Sequence, residues 1–312
     1  MLDEWIYEIE HNQEQDKPTI YFNDFTTIWY EKYVEKNLSD RTQMYYKDLL
    51  IKINNYFNGY EINDVKRIDI INFLDSLTSK YAKPTIDKFR KCLITIFNYA
   101  IKCELLQANP ATLITTPNGK EYHKKENVYT MEQVNLLLNL LPKNDNKKFV
   151  VLLALMCGLR RQEILALEKQ DINFNNNTIS INKAVVYDRI NQYKIGKTKT
   201  TSSNRIVYIP SSLALQLKDF PEGRLFNYSP DHISRWFHDF IKTNNLPPLT
   251  FHGLRHTHAT LLISHGTDYK TVSAILGHSQ TSTTMNIYVH QNNINIINAG
   301  KIFDNIGTDL AQ

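Results

Sequence analysis

Phe251-His252-Gly253-Leu254-Arg255-His256-Thr257-His258-Ala259-Thr260 places three histidines and an arginine within ten residues. The apolar Leu261, Leu262 and Ile263 continue a helical period, so the stretch predicts a helix on which His252 and Arg255, at i and i+3, share a face while His256 and His258 need not. A general base and a phosphate-binding guanidinium would then stand side by side. Closely spaced histidines also suggest zinc, but there is no H-E-x-x-H, no cysteine close by and no carboxylate between them.

Three more stretches carry chemistry that core packing would not ask for. Gly158-Leu159-Arg160-Arg161-Gln162-Glu163-Ile164-Leu165-Ala166-Leu167 follows Phe149 to Met156, a segment apolar on most faces and hence a buried helix. Gly158 can end that helix, and a rigid element then holds Arg160 with its planar fork ready for phosphate oxygens. Read without its neighbours, Arg160 or Arg161 could equally pair with Glu163 at a helix start. Lys197-Thr198-Lys199-Thr200-Thr201-Ser202-Ser203-Asn204-Arg205 reads as a turn; a lysine there can be simply solvated, or can protonate a leaving oxygen. Leu276-Gly277-His278-Ser279 leads through Thr281 to Thr284 into Tyr288-Val289-His290. A phenol ionises near pH 10, so Tyr288 acts as a nucleophile only where cations and a base stabilise its oxyanion; taken alone it reads as a half-buried helix residue.

The rest of the chain bounds the answer. Its 312 residues are 42% hydrophobic, enough for one large domain or two ordinary ones, and disorder is excluded as the main state. Average usage of about 7% glycine would give roughly 22; the chain has 10, with neither G-x-G-x-x-G nor G-x-x-x-x-G-K-[ST], which argues against Rossmann and P-loop enzymes. A net charge of +4 and a pI near 8.7 permit a polyanionic partner without demanding one. Cys92, Cys103 and Cys157 match neither a zinc site nor a disulfide framework, which suits a reducing compartment. Met1 to Lys17 carries no apolar leader, and the longest apolar run, Phe149 to Cys157, is too short to span a bilayer. A soluble cytoplasmic protein with no membrane partner is expected.

After a short segment, 1–19, the chain from 20 to 111 is helical in period. Asn23 or Asp24 can cap a helix through Ile28, Trp29 and Tyr33, and Ser39 one through Tyr45, Leu49, Ile53 and Phe57 that Gly59 stops. A third passes through Ile68, Ile71, Phe73 and Leu77. Pro84 opens a fourth through Phe89, Leu93, Ile96, Phe97 and Ala100, which Asn109 and Pro110 end. From 112 to 127 the period lapses and Lys120, His123, Lys124 and Lys125 read as a basic linker or an ordinary loop. In 128–291, Thr130 caps a helix of Val134, Leu137, Leu138 and Leu141. Ile179 to Ile181, Ala184 to Tyr187 and Arg205 to Ile209 predict one three-stranded sheet, Asn173 to Asn177 a turn, and helices return from Asp231. The fold class expected is mainly α with a small antiparallel β-sheet: a helical domain, an α+β domain, and a tail, 292–312.

Taken together and in this order, Gly-Leu-Arg-x-x-Glu, the lysine turn, His-x-Leu-Arg-His and Leu-Gly-His-Ser with a Thr-Thr-x-x-x-Tyr-x-His ending resemble the tyrosine recombinases, or phage integrases, over roughly residues 22 to 292. The resemblance implies a helical core-binding domain, an α+β catalytic domain and the catalytic set Arg160, Lys199, His252, Arg255, His278 and Tyr288. Lys197 also precedes a threonine, but the downstream Thr-Ser-Ser-Asn-Arg suits the integrase pattern better from Lys199. It further implies strand cleavage through a 3′-phosphotyrosyl link with no metal, no ATP and no other cofactor. Lys80, Lys83, Lys88, Arg90, Lys91, Lys124 and Lys125 become candidate phosphate contacts, or solvated side chains. The implied partners are double-stranded DNA attachment sites, three further copies of the chain in a tetramer that the tail ties together, and an accessory DNA-bending or directionality protein. Met1 to Thr19 is shorter than the arm-binding domain of many phage integrases, so a Xer-like resolvase is the alternative. The outside readings are a silent DNA-binding protein and a zinc hydrolase on His252, His256 and His258.

Overall fold

A computed structural model describes residues 20–121, 127–187, 193–197 and 204–277. They form two compact units, described separately: the first holds 20–121 and the second the remaining described residues.

In the first unit α1 (Phe22–Trp29) runs on through a π-helical turn (Tyr30–Val34) and a last α turn (Glu35–Asn37), followed by α2 (Asp40–Tyr56), α3 (Arg67–Ser76) and α4 (Lys83–Lys102). Each helix turns an apolar stripe inward; on α4, Ile86, Phe89, Leu93, Ile96, Phe97 and Ala100 recur at threes and fours and are buried. Pro84 sits in the first turn of α4, where its missing N–H costs nothing. Two expectations need correction. Tyr21 is the N-cap of α1, so Asn23 and Asp24 lie inside the first turn. And α4 stops at Lys102, well before Asn109; the buried Asn109 instead ties the next segment back to α4, donating to Ile94 O (3.0 Å) and Asn98 Oδ1 (2.7 Å) and accepting from Ala111 N (2.8 Å). Residues 112–121, expected as linker, follow this unit: Ile114 is buried, Thr116 donates to Asp87 (2.7 Å) and Lys120 N donates to Tyr81 O (2.9 Å). Polar side-chain ties of this kind leave no apolar period to read.

The second unit begins with α5 (Met131–Leu140), capped by Thr130, whose hydroxyl accepts from Gln133 N. α6 (Lys147–Met156) is buried along most of its length and ends at Gly158, whose φ of +66° is the left-handed conformation that favours glycine. After α7 (Arg161–Ile164) come β1 (Ile172–Asn173), β2 (Thr178–Ile181), β3 (Lys183–Tyr187), β4 (Tyr193–Lys197) and β5 (Arg205–Tyr208), then α8 (Ser211–Lys218), α9 (Pro230–Thr243), α10 (Phe251–Ser264) and α11 (Tyr269–Leu276).

The fold is mainly helical with small antiparallel sheets, as expected, but the strands pair differently. One sheet has the order β1-β2-β5, with Ile179 opposite both Ile172 and Val207, and β3 pairs only with β4. So Ala184 to Tyr187 does not join Ile179–Ile181 and Arg205–Tyr208. A two-residue strand is too short to show alternation, and β4, Tyr-Lys-Ile-Gly-Lys, lacks the β-branched composition that marks a strand. Asn173 to Asn177 does form a turn, with Asn173 Oδ1 accepting from Asn175 N and Asn176 N. Among the described residues no helix is long and apolar enough to cross a membrane.

Candidate active site

The site of the second unit is assembled around the end of α11. Asp268 caps that helix, and Gly277, left-handed at φ +64°, closes it. Its last carbonyls have no partner within the helix and carry the negative end of its dipole. Three arginines take three consecutive ones: Arg205 Nε donates to Ile275 O (2.6 Å), Arg255 NH2 to Leu276 O and Arg160 NH2 to Gly277 O (2.8 Å).

Each arginine has a second anchor. Arg160 is the N-cap of α7; its NH1 pairs with Glu163 Oε1 at 2.7 Å, and its backbone N–H donates to Oε2 at 2.8 Å. The ion pair that the sequence offered as an alternative role is therefore present, yet the guanidinium still walls a cleft. Glu163, 2% exposed, also receives Arg205 NH1 (3.1 Å) and NH2 (2.8 Å). Burial would raise its pKa, but Arg205 and Arg160 outweigh that and hold the carboxyl below its ordinary range, so it is an anion at neutral pH. Arg255, 2% exposed, donates NH1 to Gly158 O (2.7 Å).

Thr250 caps α10 by accepting from Gly253 N (3.0 Å). A Cβ at Gly253 would lie 2.6 Å from Leu249 Cδ1 and 3.2 Å from Asn127 O, so a larger residue at this start of the helix would require the Leu249 side chain to shift. His252 is exposed in the first turn, its ring edge-on to that of His256 at 4.5 Å. Arg160, Arg161, Ser234, Thr250, His252 and Arg255 line one cleft of about 410 Å³, and Arg161 NH1 contacts Ser234 Oγ. His258 plays another part. Its Nδ1 meets Leu155 O at 2.9 Å, its Nε2 is buried without a partner, and burial above all, with the Arg255 charge, lowers its pKa to about 4. It is a neutral core histidine, and among the described residues no three His, Cys, Asp or Glu side chains gather as a metal would need.

The structure thus brings Arg160, His252 and Arg255 to one cleft. Lys199, His278, Tyr288, Lys124 and Lys125 lie outside the described residues; Lys197 ends β4, its backbone paired with Lys183. The sequence reading missed Arg205 and Glu163 as parts of the site. The one signal for Arg205 was its place at the end of the Lys/Thr/Ser stretch, where it read as a strand start.

In the first unit Lys80, Lys83, Lys88 and Lys91 are exposed. Lys83 donates to Asn118 Oδ1 (3.1 Å), and the Lys88 ammonium lies 6.0 Å from the Tyr45 ring centre. Lys91 pairs with Asp87 at 2.8 Å. Arg90, part-buried, is held by Asp87 (2.8 Å) and Thr116 (3.0 Å). Burial opposes ionisation of Asp87, but hydrogen bonds from Lys91, Thr116 and Arg90 keep its carboxyl well below the usual range.

Residues 127–294 match the model of the phage integrase family. The chain belongs to the phage integrase family. Residues 21–78 of this family member match the model described as the phage integrase N-terminal SAM-like domain. It is 30% identical to a tyrosine recombinase XerC-like protein of Caldanaerobacter subterraneus subsp. tengcongensis, over 76% of this chain and 70% of that one. It is 27% identical to the ICEBs1 integrase of Bacillus subtilis, over 80% and 75%. Its fold is similar to that of the Tn1549 transposon integrase in complex with transposon right end DNA, with a TM-score of 0.79, 19% identity, and 92% and 100% of the two chains covered. This integrase is therefore a tyrosine site-specific recombinase, an enzyme that cuts and rejoins DNA.

Proposed function

We propose that the cleft of the second unit receives the scissile phosphodiester of a duplex attachment site, and that the enzyme integrates or excises a phage or other mobile element. The observation that carries this is the convergence of Arg160, Arg255 and His252 on one cleft, both guanidiniums locked by backbone carbonyls before any substrate arrives. Preorganised cations of this kind stabilise charge as it develops, without reorganisation during the reaction.

Arg160 and Arg255 neutralise the non-bridging oxygens, and His278 adds a hydrogen bond to them. Tyr288 attacks in line, His252 takes its proton, and Lys199 protonates the leaving 5′-oxygen. The phosphodiester becomes a 3′-phosphotyrosyl ester with a free 5′-hydroxyl, which attacks the same kind of link on a partner strand. One ester replaces another at each step, so the reaction draws on neither ATP nor a metal. Lys80, Lys83, Lys88, Arg90 and Lys91, with Lys124 and Lys125 of the linker, contact DNA phosphates. Four copies assemble on DNA in the cytoplasm at the nucleoid, joined by the apolar residues Ile294, Ile297, Ile302, Phe303 and Ile306 of the tail, and an accessory DNA-bending or directionality protein sets the direction.

Covalent trapping tests this. The protein is incubated in EDTA with nicked duplexes tiled across the DNA flanking its own gene, and denaturation-resistant adducts are sought. Wild type should give an adduct at one position and Tyr288→Phe none. An adduct that survives Tyr288→Phe, or that needs added Mg²⁺, refutes the reading.

A further inference from the structure

Glu163 is a single negative charge, almost fully buried, between two guanidiniums. With Arg160 alone beside it, the pair would sum to zero and the guanidinium facing the cleft would offer a phosphate little net attraction. With Arg205 present the trio carries +1. The shared oxygens show how the charge is divided: Oε1 accepts from Arg160 NH1 (2.7 Å) and Arg205 NH1 (3.1 Å), and Oε2 from Arg205 NH2 (2.8 Å) and the Arg160 backbone N–H (2.8 Å). Arg205 also reaches Ile275 O at 2.6 Å, two residues before the Gly277 carbonyl that holds Arg160. One side chain at the start of β5 therefore links the acid that orients Arg160 to the helix end that supplies its other anchor. The Arg205 side chain is 6% exposed and, unlike the similarly buried Arg255, it does not line the cleft, so it stands behind the wall that a substrate meets.

We propose that Arg205 is a positioning residue for strand cleavage: it shares the Glu163 carboxylate so that Arg160 keeps its place and its effective positive charge toward the scissile phosphate. This rests on the assignment of Arg160 as a phosphate clamp. Arg205 acts on the rate of the chemical step and leaves DNA affinity, which many phosphate contacts set, nearly untouched.

The test measures single-turnover adduct formation at saturating nicked attachment-site DNA, with affinity from gel shifts, for the full chain. Arg205→Met should cleave about a hundredfold more slowly, the size expected when a reacting group's partner is misplaced by an ångström or so, with affinity within about threefold of wild type. Glu163→Gln/Arg205→Met removes both buried charges and restores +1 at Arg160, so cleavage should recover at least about tenfold over Arg205→Met. Every rate is taken per folded protein, with folding read from circular dichroism and the melting temperature, so that a recovery of folding is not counted as a recovery of cleavage. Because Arg205→Met leaves a buried carboxylate with one partner and can fail to fold, Arg205→Lys is measured too. It keeps the charge but cannot hold Glu163 and Ile275 O together, and should lie between wild type and the double variant or below both. The proposal is overturned if Arg205→Lys cleaves at the wild-type rate, or if Arg205→Met folds and the double variant is no faster than it. Arg160→Ala distinguishes the parent reading: wild-type cleavage by that variant removes the clamp assignment itself, whereas a dead Arg160→Ala beside a fully active Arg205→Lys removes only the proposal made for Arg205.

Discussion

Replacing His258 with phenylalanine should invert the stability ranking of the two proteins between neutral and acid pH. In the folded chain the imidazole ionises at about 4 against an ordinary 6.5, because it is buried with an unpartnered Nε2 and the Arg255 charge opposes its protonation. The unfolded chain therefore binds the proton below pH 6.5 and the folded chain only below about 4. Stability from the neutral ring is fully present above pH 6.5, falls through that window and levels off beneath it. At about 1.4 kcal/mol per pH unit the loss reaches about 3 kcal/mol. Phenylalanine fills a similar volume and does not titrate, but forfeits the bond from Nδ1 to Leu155 O, costing about 1 kcal/mol. Wild type should thus be the more stable by about 1 kcal/mol at pH 7 and the less stable by about 2 kcal/mol at pH 4, the two crossing near pH 6. Carboxylates titrate in both proteins and cancel in the difference. Hydrogen exchange by mass spectrometry on peptides from α6 and α10, corrected for intrinsic exchange rates, reads the opening free energy of this unit. Parallel pH profiles from 7 to 4 would refute the argument.

Gly158→Ala combines a left-handed backbone, roughly 1–2 kcal/mol for an alanine, with a Cβ 2.6 Å from His258 Cδ2 and 3.0 Å from Leu276 Cδ2. A total near 3 kcal/mol should lower the melting temperature of the second unit by about 6–12 °C; calorimetry showing a drop below about 2 °C would mean the neighbours yield freely. Lys88→Ala with Lys91→Ala should reduce the slope of log affinity against log salt by roughly 2 on any duplex, and an unchanged slope would remove both from the DNA-binding face.

The helices were legible because their evidence is local. Val134 and Leu137 of α5 and Ile233, Phe237 and Ile241 of α9 face inward at the spacing their period requires. The sheet was only partly legible: β2 and β5 show in their β-branched residues, whereas the pairing of β3 with β4 depends on which strand comes back beside it. The route of residues 112–121 was hidden for a related reason, since hydrogen bonds from Asn109 and Thr116 replace an apolar stripe as the thing that holds them.

At the site, the sequence by itself determined which residue types are available and their short-range geometry. His252 and Arg255 share a face because they are three apart on a helix, and Arg160 stands at a helix start because Gly158 turns the chain just before it. Tertiary structure alone decided which partner each charge meets. Arg205 finds Glu163 across 42 positions, Arg255 finds Gly158 O across 97, and Arg160 finds Gly277 O across 117. No periodicity encodes such pairings. They follow from burial, which forces every charge and helix-end carbonyl enclosed by the folded unit to find a partner among whatever the fold has brought within reach.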